Sequence, residues 1–157
     1  MGVLADLNKK YGGRISANAG PLALARHFAE IEESLARGEK SRSGQGKLCA
    51  CGGVFGKMAI LHDGSIVPCD MLPNLTMGVF GLHSLSEAWR SSPAINAVRY
   101  RRDILLSSLP SCRGCPYIGF CAGGCPASVM ARYGRLNVRD PLVCYRIFKG
   151  EAPADAV

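Results

Sequence analysis

A chain of 157 residues, 48% hydrophobic and 20% charged, suffices for one domain with a modest core, or a domain with an appended segment, and is too apolar for wholesale disorder. Its formal charge of +7 does not mark a nucleic-acid binder, because lysine and arginine are dispersed; the densest knot, Arg99, Arg101 and Arg102, reads as a solvated helix face. No run of about 18 apolar residues is present to span a bilayer, and the stretch from Met1 to Lys10 lacks the apolar centre of an export signal. A reducing cytoplasmic setting is therefore expected, in which thiols stay free to bind metal.

In chain order, Gly13 to Asn18 reads as a short extended run, and Gly20-Pro21 opens a helix with proline at its first position. Leu22, Ala25, Phe28, Ile31 and Leu35 recur at three- and four-residue intervals, giving one apolar face that requires a partner. Residues 38–47 are polar and rich in Gly and Ser, as expected of a linker. Two apolar runs, 57–61 and 65–69, flank His62-Asp63-Gly64 and predict a β-hairpin, since Asp-Gly tolerates the positive φ of a tight turn. Folding that hairpin carries Cys69 back toward Cys49 and Cys51. Ser84-Leu85-Ser86-Glu87 fits a capping box that starts a short helix, Ser92-Pro93 opens another through about residue 102, and a third runs from Pro126 to Tyr133 and ends at Gly134. Ala88, Trp89 and Ile95 are expected in the core.

All eight cysteines lie beyond residue 48, and five form an ordered series: Cys112, Cys115, Cys121, Cys125 and Cys144. Such spacing is typical of thiolate cages for metal ions or iron–sulfur clusters. The loops Cys112-Arg-Gly-Cys115-Pro116 and Cys121-Ala-Gly-Gly-Cys125-Pro126 let backbone wrap a cluster and offer amide hydrogens to its sulfurs. Tyr117, Ile118 and Phe120, between these loops, either shield such a group or form ordinary local core. CxxC is also the knuckle of structural zinc sites, but zinc ribbons pair two similar knuckles, and a second CxxC is missing.

These residues resemble the SPASM domain of radical S-adenosylmethionine (SAM) enzymes, whose signature is C-x(9–15)-G-x4-C, a gap, C-x2-C-x5-C-x3-C, a gap and a last C. Cys51, Gly64 and Cys69 meet the first part with twelve and four intervening residues, and Cys112, Cys115, Cys121, Cys125 and Cys144 meet the rest; the likeness covers about residues 48–150. It implies two auxiliary [4Fe–4S] clusters, with Cys112, Cys115, Cys121 and Cys144 holding one, and Cys51, Cys69 and Cys125 the other. Cys49 is the candidate fourth ligand of the latter or a spare thiol; equally, Cys49 is the motif's first cysteine and Cys51 the spare. Dispersed basic residues would then counter buried anionic clusters.

Enzymes of this family modify peptides or protein side chains with a separate barrel whose CxxxCxxC motif holds the SAM-binding cluster. This chain has no CxxxCxxC: Cys121 and Cys125 have the first spacing, but Ser128 occupies the third place. The expected fold is α+β, a small irregular cluster-binding domain with a β-hairpin and short helices over 48–150. A strand-helix segment over 1–37, resembling the last unit of a (β/α) barrel, precedes it, and residues 151–157 form a tail. The resemblance implies the C-terminal part of a radical SAM peptide-modifying enzyme, truncated or one half of a split protein, unable to cleave SAM alone and partnered by a barrel and a peptide substrate, without nucleic acid or membrane. A freestanding electron carrier and a zinc-stabilised interaction module are the alternatives. His27, His62 and His83 stand apart and define no catalytic set, and Asp70 reads as a solvated loop acid.

Overall fold

A computed structural model describes residues 2–14, 17, 20–49 and 51–152. The chain divides into two compact units, Met1–Arg42 and Ser43–Val157.

The first unit opens with helix α1 (Gly2–Lys10), an element the sequence reading did not anticipate. Lys9 and Lys10 lie in its last turn, where positive charge complements the helix dipole. The chain then turns through Gly12 and Gly13, both at positive φ, and the expected extended run falls largely on positions 15, 16 and 18, outside the described residues. Helix α2 (Gly20–Ala36) follows and packs against α1. On its anticipated apolar face Phe28 and Ile31 are buried, whereas Leu35 is exposed at the far end. Arg42 folds back over α2, its Nη2 donating to the Glu30 carbonyl at 2.6 Å and to Ser34 Oγ at 2.9 Å.

The second unit is α+β. A one-turn helix α3 (Gly53–Gly56) leads into strands β1 (Ala59–Ile60) and β2 (Ser65–Val67), joined as the Asp-Gly signal predicts. Gly64 has φ of +84°, and Asp63 Oδ1 accepts from the Ser65 amide at 2.9 Å, so the turn is held by its own side chain. The register sets Ala59 opposite Val67 and Ile60 opposite Ile66. A third strand, β3 (Gly78–Val79), pairs antiparallel with β2 and completes the sheet order β1-β2-β3; two residues, one of them glycine, give no alternating pattern to read. His83 fastens it, its Nδ1 accepting from the Val79 amide at 3.0 Å.

Helices α4 (Leu85–Ser91), α5 (Pro93–Tyr100) and α6 (Pro126–Tyr133) begin where the capping residues place them. Ser84 Oγ accepts from the Glu87 amide, Ser92 Oγ from the Ala94 amide, and Gly134 closes α6 in the left-handed region. A last short helix, α7 (Tyr145–Phe148), follows Cys144. Short 3-10 turns link the remaining segments, among them Arg101–Asp103, Pro110–Cys112, Ile118–Phe120 and Pro141–Val143.

The main core gathers Val54, Ile66, Leu72, Met77, Ala88, Ile95, Val98, Ala127 and Leu136, with Trp89 packed at its margin. A second, smaller core joins Leu48, Leu106 and Cys112, flanked by Ile118 and Cys121. One sequence expectation is overturned here. Arg101 is not on a solvated face but is fully buried, at 0% exposure, because the chain leaves α5 into a 3-10 turn that rotates this position inward. Arg99 is half-buried as well, lying over the Trp89 ring at 4.5 Å and donating to the Trp89 carbonyl at 2.7 Å. Arg102 alone of the three is exposed.

Ile66 is the strand residue that ties the hairpin to the main core and has no exposed surface. Ile66→Ala should cost about 2–5 kcal/mol of stability, read as a lower urea midpoint with an unchanged slope; a midpoint equal to that of the unaltered chain would mean that the hairpin is not anchored there.

Candidate metal centre

Each cysteine of the second unit sits at the edge of a short element or a glycine-bearing loop. Cys112 ends a 3-10 turn and its carbonyl accepts from the Cys115 amide at 3.1 Å, closing the CxxC loop. Cys121 follows the next 3-10 turn and is the residue before the Ala122-Gly123-Gly124 run. Cys125 is the N-cap of α6 and Cys144 the N-cap of α7. Cys69 lies just past β2, on the return side of the hairpin, and Cys49 and Cys51 lie ahead of α3. All eight are free thiols.

Several of the thiols lie within one another's electrostatic reach. Cys112 is acted on by Cys115 and Cys144, and Cys121 by Cys112, Cys144 and Cys115. Thiols up to 32 positions apart in sequence thus feel one another's charge. Burial, reinforced by these neighbours and opposed by the Gly123 amide, pushes the Cys121 thiol up to about 11. Burial likewise raises Cys112, with Arg139 and Ser111 pulling the other way; Arg139, itself buried, donates from Nε to Ser111 Oγ at 3.2 Å. Deprotonated sulfurs here would repel one another, and a cationic inorganic centre would relieve that repulsion.

A second association involves Cys125, Cys69 and Cys49. The Cys69 thiol is raised chiefly by burial and then by Asp70 and Cys125, and its Sγ donates to Asp70 Oδ1 at 3.3 Å. Cys125 and Cys49 both act on the buried Arg101. Cys51 is exposed, its Sγ accepting from the Gly53 amide at 3.4 Å. Among the described residues, no three His, Cys, Asp or Glu groups stand close enough to enclose a single metal ion.

The backbone around the thiols suits a sulfur-rich cofactor. Gly123 and Gly124 adopt φ of +72° and +82°, and a β-carbon at either would overlap Leu48 or Asp140. The Gly123 amide donates to Cys121 Sγ at 3.4 Å, the type of contact that tunes cluster thiolates. Of the interleaved aromatic residues, Phe120 is fully buried, while Tyr117 meets Tyr145 edge-on at 4.8 Å and donates to Glu151 Oε1 at 2.9 Å. Sequence reading missed the two buried arginines, since no spacing rule distinguishes them from surface cations.

Soft donors, glycine-lined loops and amide-to-sulfur contacts are the features that a thiolate-rich cluster-binding domain requires. Residues 49–116 match the family model of SPASM, described as an iron–sulfur cluster-binding domain. The chain is 31% identical over 102 residues to the PqqA peptide cyclase of Methylocella silvestris and 33% identical over 103 residues to that of Ruegeria pomeroyi. These matches take in 63% and 62% of this chain but 26% of each relative, so the chain spans about a quarter of the relatives' length. No solved structure matches it. No helix among the described residues is long and apolar enough to cross a membrane.

Raised to about 11, the Cys121 thiol should present roughly a hundred-fold less thiolate at pH 8 than an ordinary cysteine. In the metal-free chain, iodoacetamide should label exposed Cys51 well before Cys121, as followed by peptide mass spectrometry; equal rates would mean that the pocket is open.

Proposed function

We propose that this chain binds two [4Fe–4S] clusters and serves as the SPASM part of a radical SAM enzyme that modifies a peptide substrate. The observation that supports this reading is the match of residues 49–116, which include Cys112 and Cys115, to SPASM, with Cys115 and Cys144 acting electrostatically on both Cys112 and Cys121. Those four would hold one cluster. Cys69 and Cys125 would hold the other with Cys49 and Cys51, Cys49 being favoured as a ligand by its action on the same arginine as Cys125. Bound clusters would supply one-electron transfer to or from a substrate radical.

The peptide-cyclase relatives support a peptide as the class of substrate. The SAM-cleaving barrel would come from the same polypeptide or from a separate subunit, in the cytoplasm, and neither nucleic acid nor a membrane has a role in this reading. Within the chain, the thiols hold the clusters while Gly123 and Gly124 let the backbone approach them.

Anaerobic reconstitution should give about eight iron and eight sulfide per chain, and Cys115→Ser and Cys125→Ser should each remove about half of both. Zinc with negligible sulfide would instead establish a structural metal module. With SAM and a reductant, the chain alone should release no 5′-deoxyadenosine; release would overturn the division of labour between barrel and SPASM domain.

A further inference from the structure

Three successive carbonyls immediately before Cys125 fix the surroundings of the second thiol association. Ala122 O accepts from the Cys49 amide at 3.0 Å, Gly123 O from the Asp140 amide at 2.8 Å, and Gly124 O from Arg101 Nη2 at 3.3 Å. Arg101 Nη1 also donates to the Val138 carbonyl at 3.3 Å. The loop thereby brings a fully buried guanidinium to Gly124, the residue before one candidate ligand, while Ala122, two residues earlier, is tied to another.

An arginine buried this completely is costly unless its charge is compensated. Two backbone carbonyls compensate only part of it, and Nε is buried without a hydrogen-bond partner among the described residues. Asp140 is buried beside it and acts on it together with Cys125 and Cys49, all three opposing the loss of its charge. The Asp140 carboxylate is in turn engaged by the Leu142 amide at 3.0 Å. A cation with too few anions around it, next to thiols that become anionic when they bind metal, has the complementary charge in those thiols.

We propose that Arg101 is a built-in countercharge for the cluster held by Cys69 and Cys125 with Cys49 and Cys51, raising its reduction potential relative to a site without the cation. The inference rests on the two-cluster reading above. One-electron reduction adds a negative charge to a cluster that is already anionic, and a fixed cation in a poorly hydrated surrounding lowers the cost of that charge. Arg101 acts through charge rather than as a ligand, and is a positioning and tuning residue.

The test uses the full chain, reconstituted anaerobically with iron and sulfide and titrated with dithionite while the clusters are followed by electron paramagnetic resonance. The signal absent from Cys125→Ser identifies the cluster concerned. In Arg101→Met that cluster should be reduced at a more negative potential, with the other unmoved; Arg101→Lys, which keeps the charge but cannot reproduce the planar fork, should show a smaller shift. Retained iron with both potentials unchanged in Arg101→Met overturns the proposal. Should Arg101→Met lose one cluster's iron, full retention in Arg101→Lys supports a requirement for charge, and equal loss in both shows a purely structural fork and overturns it. Absence of iron and sulfide from the unaltered chain would remove the cluster reading itself, a failure visible before any potential is measured.

Discussion

The geometry of the cysteine-bearing unit depends on the backbone of Ala122-Gly123-Gly124. Its three carbonyls accept from Cys49, Asp140 and Arg101, which come from three distant parts of the chain. Such an arrangement demands a backbone that turns its carbonyls in different directions within a few residues, and positive φ at both glycines provides it. A side chain at either position would be strained and would collide with neighbours already packed against the loop. The cysteines on both sides of the run, Cys121 and Cys125, are held in place by the same three residues.

Hydrophobic packing supplies the frame for that loop. The main core seats the hairpin, α4, α5 and α6 on one another, which fixes Cys69 at the end of β2 and Cys125 at the start of α6. The smaller core around Leu48 and Leu106 includes Cys112 itself and is flanked by Cys121. A backbone bridge between Lys47 and Leu105, with the Leu48 amide donating to the Ile104 carbonyl at 2.9 Å, attaches the segment leading to Cys49. Burial positions the thiols and at the same time opposes their ionisation, which is visible in the upward shifts of Cys69, Cys112 and Cys121. Binding a cationic metal core would reverse that opposition and so couple folding to cofactor binding.

Charge is also managed by cations inside the unit. Arg101 and Arg139 are both buried, the first acted on by Cys125 and Cys49 and the second acting on Cys112. Dispersed basic residues in the sequence had suggested a general offset to anionic clusters. In the folded chain two of these cations are buried, Arg101 within the field of Cys125 and Cys49 and Arg139 within that of Cys112.

Local chemistry determined much of this protein without reference to tertiary structure. Asp63-Gly64 dictated the hairpin because few other pairs tolerate its turn, Ser84 and Ser92 marked two helix starts through their capping oxygens, and Gly134 marked the end of α6. The cysteine spacing points to a thiolate centre for a similar reason: ligands in short loops must recur at intervals that the loop can close. Helix α1, strand β3 and the burial of Arg101 were not legible. The first carries no strong apolar period, and the second is two residues long and exists only because β2 offers it an edge. Arg101 looks in sequence like its neighbours Arg99 and Arg102. Only the 3-10 turn after α5 and the carbonyls of Gly124 and Val138 decide that it enters the interior, since burial of a charge is set by partners that arrive from elsewhere in the chain.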